Sequence, residues 1–243
     1  YYLLLRENSR RSAIFASLIY SLFSFFVYFS RVVLPETTAL AFAMLSIFFL
    51  YRNIDRKQRG FSGFFSTVIS AIFFASALLV KPTVIFYLLP ILILFYRKYR
   101  LSLIKKPYFY LFFLITLIPL FAWRTYIKNF PEGIPVSNWL FTSVNTSQGL
   151  KNIMFRPSFF RWIFFERINN LILGGYLTFF FILGVISKHK KKLLLSFLVA
   201  ILTYVLVFQG GNVQHEYYQT LIFPVLAMMV GLGIDFIFEN KKN

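Results

Sequence analysis

The chain has 243 residues, of which 58% are hydrophobic, 21% aromatic and only 14% charged, with 34 Phe. A soluble domain carries about 25% charged residues and cannot hide this much apolar surface, so a soluble globular fold is excluded, as is disorder, which needs low hydrophobicity. There is no cysteine, which removes disulfides, thiolate metal sites and cysteine nucleophiles. The formal net charge of +18 would point to nucleic acid in a soluble protein, but the placement of the basic residues explains it differently. The chain begins at Tyr1 on an apolar stub and is read as a piece of a longer protein.

In chain order, Tyr1–Leu5 reads as the tail of a helix that begins upstream. Eight apolar runs follow: Ser12–Phe29, Thr37–Tyr51, Phe61–Val80, Pro82–Tyr96, Tyr108–Trp123, Leu171–Ser187, Leu193–Phe208 and Tyr217–Phe238. Each is close to the length that crosses about 30 Å of hydrocarbon, the second and fourth being short. Asp235 is their one charged residue. Continuous apolar runs without alternation mean helices, since lipid tolerates only helices and closed barrels. The expected fold is all-α: one polytopic transmembrane domain over 1–243, with about eight spans plus the tail of a ninth. No A-x-A-like site follows a charged start, so none of these runs is a cleavable signal peptide.

Alternate loops divide the basic residues unequally, eighteen Lys/Arg on one side and eight on the other, six of the eight lying in one long loop. The richer side is cytoplasmic by the positive-inside rule. Most of the net charge is then topological, serving translocation and anionic lipid, and a nucleic-acid partner falls away. The cytoplasmic loops, such as YRNIDRKQRG and SKHKKK, carry no recognisable chemistry. The external face carries SRVVLPE, a tight Lys81-Pro82 reversal, a long loop over 124–170 and QGGNVQHEYYQ. In that loop Arg156, Arg161 and Arg167 mix with Phe159, Phe160, Trp162, Phe164 and Phe165. This pattern fits a juxtamembrane helix in the headgroup plane, or an aromatic belt leading into the next span. Asn145-Thr146-Ser147 is a formal glycosylation sequon.

Few polar residues on this face can carry chemistry. Glu36, after Pro35, is either a first-turn carboxylate favoured by the helix dipole or one held at the membrane surface to bind a metal or orient an acceptor hydroxyl. Lys81 with Pro82 is the single interruption in apolar residues 61–96. It is a snorkelling lysine at a hairpin tip or a partner for a phosphate. Arg124 is an interfacial anchor beside Trp123 or a bidentate phosphate ligand. His215-Glu216-Tyr217-Tyr218 opens the last helix. His215 and Glu216 are ligand types that suit a divalent metal, with Glu36 as the natural third donor, and the tyrosines suit a sugar or the interface. His189 sits among lysines and carries no such signal. G-x-x-x-x-G-K-[ST] and H-E-x-x-H are absent.

The order of these features, an acidic residue after S-R-x-x-x-P, Lys-Pro between two helices, W-R-x-Y opening a long loop, and H-E-Y-Y before a last helix with Phe223-Pro224, resembles the GT-C membrane glycosyltransferases. The nearest group is the dolichyl-phosphate-mannose protein mannosyltransferase and lipid A aminoarabinose transferase type. The resemblance implies transfer of a sugar from a polyprenyl-phosphate carrier to an acceptor on the external face of the plasma (inner) membrane. It assigns Glu36 to the family's second external acidic position and puts the principal catalytic carboxylate before Tyr1. It gives Lys81 and Arg124 to the carrier phosphate, and His215 to the metal or donor neighbourhood. The family's C-terminal periplasmic domain or extra helices have no counterpart before Asn243. An inverting displacement needs a base for the acceptor hydroxyl, which the resemblance places upstream, and cations for the departing phosphate, which Lys81 and Arg124 supply. The rival reading is a transporter or flippase for a lipid-linked or anionic solute, which needs polar groups at mid-membrane depth and broken helices.

Overall fold

The computed structural model describes residues 1–56, 60–132, 153–187 and 192–240. The sequon at Asn145 lies outside them. Among the described residues every regular element is helical and there is no strand, so the expected all-α class is observed. The chain divides into two compact units, Pro35–Leu140 and a second comprising Tyr1–Leu34 with Phe141–Asn243.

The unit over 35–140 is built from four helices: α4 Pro35–Asp55, α5 Gly60–Val80, α6 Leu88–Tyr99 and α7 Pro107–Tyr126. Prolines set the breaks. The residue before a proline is pushed out of the α region. Accordingly Lys81 (φ −149°, ψ 103°) ends α5 and Lys106 (φ −98°, ψ 121°) precedes α7. Pro82–Tyr87 forms a 3-10 turn that leads into α6. Gly60 takes φ +58° at the start of α5, a left-handed conformation that costs a side-chain-bearing residue about 1–2 kcal/mol.

Buried polar pairs fix the register between these apolar helices. Ser70 donates to the Ser46 carbonyl at 2.8 Å. Asn53 donates to the Gly63 carbonyl (2.8 Å) and Thr67 hydroxyl (3.1 Å), and accepts from Lys98 Nζ at 2.8 Å. Lipid offers no competing partner, so such bonds hold helices together where hydrophobicity cannot discriminate. The pairs Asn53/Gly63 and Ser46/Ser70 make α4 and α5 antiparallel. Phe64 meets Tyr108 in a tilted contact at 6.3 Å, and Thr116 donates to the Ala71 carbonyl at 3.5 Å, so α5 and α7 run parallel.

The other unit opens with α1 Tyr2–Glu7, α2 Arg10–Leu22 and α3 Ser24–Phe29. Ser9 caps α2, accepting from the Ser12 N–H at 3.0 Å, as a hydroxyl at an N-cap does. After the long loop come α8 Pro157–Phe160, continued as a π-helix over Arg161–Ile172, then α9 Tyr176–Ile186 and α10 Lys192–Val207. α11 Gln209–Gln214, a 3-10 turn Glu216–Ile222 and α12 Phe223–Asn240 complete it. α12 packs on α9 and on α2. The backbones touch: a Cβ on Gly184 would collide with the Met229 carbonyl, and one on Gly233 with the Phe180 carbonyl. On the α2 side a Cβ at Gly231 would lie 2.6 Å from the Ser12 carbonyl oxygen. Small residues permitting such approach are the usual means of joining helices in lipid.

Among the described residues four helices are long and apolar enough to cross a membrane: Pro35–Asp55, Gly60–Val80, Pro107–Asn129 and Glu216–Glu239. A fifth span results if Pro157–Ile172 and Tyr176–Ile186, bent by 113° at Gly174-Gly175, count as one. The expected eight runs therefore do not all appear as unbroken helices. Ser12–Phe29 breaks at Phe23 (φ −54°, ψ 112°), and Pro82–Tyr96 begins as a 3-10 turn. Gly174 (φ +61°) and Gly175 (φ +76°) redirect the chain within Leu171–Ser187. Lys192–Val207 is apolar but short.

Candidate functional site

In the 35–140 unit, Glu36 and Lys81 meet. Antiparallel pairing of α4 and α5 brings the first turn of one beside the last of the other. There Lys81 Nζ lies 2.6 Å from Glu36 Oε1, the carboxylate side chain being 1% exposed and the lysine 12%. The contact is a close, buried ion pair. Pro82 makes this possible by holding Lys81 extended, which turns its side chain out of the helical path. A charge in such surroundings is expensive alone, and opposite charges lower each other's cost. Arg124, half-buried, belongs to the same end of this unit. The parallel register of α5 and α7, with Ala71 opposite Thr116, carries Arg124 to the level of Leu79, at the end of α5. Three of the residues singled out in the sequence thus lie at one end of one helical unit, with a combined formal charge of +1.

The remaining four belong to the other unit. His215 is extended (φ −125°, ψ 118°) between α11 and the 3-10 turn. Its ring stacks on Tyr217 (5.2 Å, 26°) and meets Tyr218 edge-on (5.5 Å, 72°). Tyr218 is buried and its carbonyl accepts from the Tyr204 hydroxyl at 3.0 Å, so this aromatic group is anchored to α10. Glu216 is exposed. It lines a cavity of about 360 Å³ with Trp162, Glu166, Arg167, Leu171 and Val213.

Sequence reading passed over the network behind that cavity. Arg167 donates to Gln219 Oε1 (3.1 Å) and to the Val213 carbonyl (2.8 Å). Gln219 in turn donates to the Asn212 carbonyl and Oδ1 at 2.8 and 3.0 Å, both amide residues being fully buried. Burial pushes the Arg167 pKa below its ordinary value, and Glu216 opposes that shift. In the sequence, Asn212 and Gln219 look like loop polars. Asp235 was visible as the lone charge of the last run. It accepts from Asn8 (2.8 Å) and Ser9 (2.6 Å), with Arg11 3.6 Å away, tying α12 to the start of α2.

The expected divalent metal finds no group of three His, Asp or Glu ligands among the described residues. Glu36, the intended donor, faces an ammonium, so no step is assigned to a metal.

An all-helical membrane protein with paired opposite charges at a helical end is thus defined. The dolichyl-phosphate-mannose-protein mannosyltransferase family matches residues 1–125, and the chain belongs to that family, as the resemblance led one to expect. The family is one of membrane glycosyltransferases. Its match includes Glu36, Lys81 and Arg124 and ends before His215. No curated protein matches the chain. No solved structure matches it either.

Proposed function

We propose that the protein transfers a sugar from a polyprenyl-phosphate donor to a lipid, glycan or protein acceptor on the non-cytoplasmic face of the plasma membrane. The observation that carries this reading is the Glu36–Lys81 pair with Arg124 at the same helical end, inside the family-matched segment. A lipid-linked donor is apolar, anionic and confined to the bilayer, so cations at a helix end are where its phosphate must be met. The acceptor hydroxyl gives its proton to a carboxylate base as its oxygen attacks the anomeric carbon, the bond to the phosphate oxygen breaks, and its electron pair leaves with the phosphate. Lys81 and Arg124 stabilise that developing charge, Arg124 by a bidentate contact. Glu36 directs the ammonium. In the other unit, His215 with Tyr217 and Tyr218 presents an aromatic and imidazole surface of the kind that suits a sugar. The topology that goes with this reading is eight spans plus the tail of a ninth, with Pro157–Ile172 lying in the headgroup plane. The bend of 113° into α9 supports that last placement.

The test is binding of undecaprenyl phosphate to the complete protein in nanodiscs, against undecaprenol as the phosphate-free control. Arg124→Ala and Lys81→Gln should each weaken phosphate binding by about tenfold or more and leave undecaprenol unchanged. Equal binding of the two lipids by the unsubstituted protein would remove the reading.

A further inference from the structure

The cavity lined by Trp162, Glu166, Arg167, Leu171, Val213 and Glu216 is explained by neither the cation cluster nor the aromatic group at His215. Four of its six lining residues come from the π-helix. In an α-helix the nine residues from Trp162 to Leu171 turn the chain through about 900°, leaving the two side chains on opposite faces. Here i→i+5 pairing, as in Leu173 N–H to the Ile168 carbonyl at 2.9 Å, takes roughly 4.4 residues per turn. Nine residues then make about two turns, and Trp162, Glu166, Arg167 and Leu171 share a face. The winding that brings them together is rare and occurs frequently at functional sites. The buried Asn212–Gln219 pair holds the guanidinium at the cavity edge, the support a binding group needs to be preorganised.

The charges select the ligand. Glu166 and Glu216 disfavour a phosphate, and Arg167 disfavours a cation, with Arg161 already 3.4 Å from Glu166. A neutral polyhydroxy compound suits all of them, since carboxylates accept from hydroxyls and the guanidinium donates to them. Trp162 is 47% exposed and offers a flat apolar face to the C–H face of a sugar ring. At about 360 Å³ the volume is at the small end of ligand sites, which run from about 300 to 1,000 Å³, so it suits a single sugar ring better than a long chain.

We infer that this π-helix cavity is a binding subsite for a neutral sugar of the acceptor. The inference rests on the reading of the protein as a glycosyltransferase and assigns its acceptor to the carbohydrate class. Trp123 and Trp139 are the other two tryptophans. Replacing these and every other tryptophan of the complete protein with Phe leaves Trp162 as the fluorophore. Titration with methyl glucoside should change its emission saturably, whereas inorganic phosphate and tetramethylammonium should not. Glu216→Gln and Glu166→Gln, conservative changes at accessible carboxylates, should each raise the half-saturation concentration about tenfold. No saturable response to the glycoside, or an equal response to either ion, overturns the subsite. Lys81→Gln should leave the glycoside response intact. Loss of undecaprenyl phosphate discrimination with the glycoside response retained would instead reject the donor reading.

Discussion

Removing one half of the Glu36–Lys81 pair leaves the other charge buried, and that asymmetry is measurable. Breaking a buried ion pair costs about 3–5 kcal/mol, while replacing both partners by apolar side chains is often neutral. Lys81→Met should therefore lower the thermal midpoint in detergent markedly, and adding Glu36→Leu should restore most of it. Additive losses in the double variant would mean that the two charges do not support each other. Both residues were legible in the sequence because ionisable groups beside apolar helices are rare. Their pairing became visible only with the antiparallel register of α4 and α5, which Asn53 and Ser46 set from a distance. Arg167 was noticed as a membrane-facing cation. Its attachment to Gln219 was hidden, because residues 52 positions apart leave no local pattern.

Backbone approach distinguishes the elements that tolerate change from those that do not. At Gly233 an added Cβ would strike the Phe180 carbonyl, whereas at Gly60 it would meet nothing within 4 Å. Gly233→Leu should thus cost about 3 kcal/mol or more through overpacking. Gly60→Ala should cost only about 1–2 kcal/mol, from its positive φ. Unfolding of the two variants in detergent, followed by circular dichroism, checks the ranking. At this scale the sequence showed where apolar material lies and how much there is. It did not show where the backbone turns. Hydropathy is blind to the extended Phe23 and to the left-handed Gly174-Gly175, and a run long enough to span becomes two shorter helices. The π-winding was likewise unreadable, because apolar periodicity is scored against an α-helical or strand repeat.

For the molecule as a whole, orientation in the bilayer follows from the basic loops and can be tested within one unit. Leu101 is 87% exposed just before α7, and Phe130 is 46% exposed just after it. These 243 residues hold no cysteine, so with any other cysteine of the complete protein changed to Ser, Leu101→Cys and Phe130→Cys can be labelled without background. In intact cells an impermeant maleimide should react with the second and spare the first. Labelling of both from outside would remove α7 as a span and with it the inside-positive assignment.

The glycine contact between α9 and α12 also bears on how the protein is made. α9 has eleven residues, about 16 Å of helix at 1.5 Å per residue, roughly half of the 30 Å needed to cross lipid. Its nearest backbone partner, at Met229 and Gly233, is synthesised more than forty residues later, after all of α10 and α11. While the ribosome is still making those, α9 has neither the length to settle in the bilayer by itself nor the helix it is shaped to fit. Its close-packed partner thus becomes available only once α12 emerges, and this pair of helices is expected to assemble against the direction of its own synthesis.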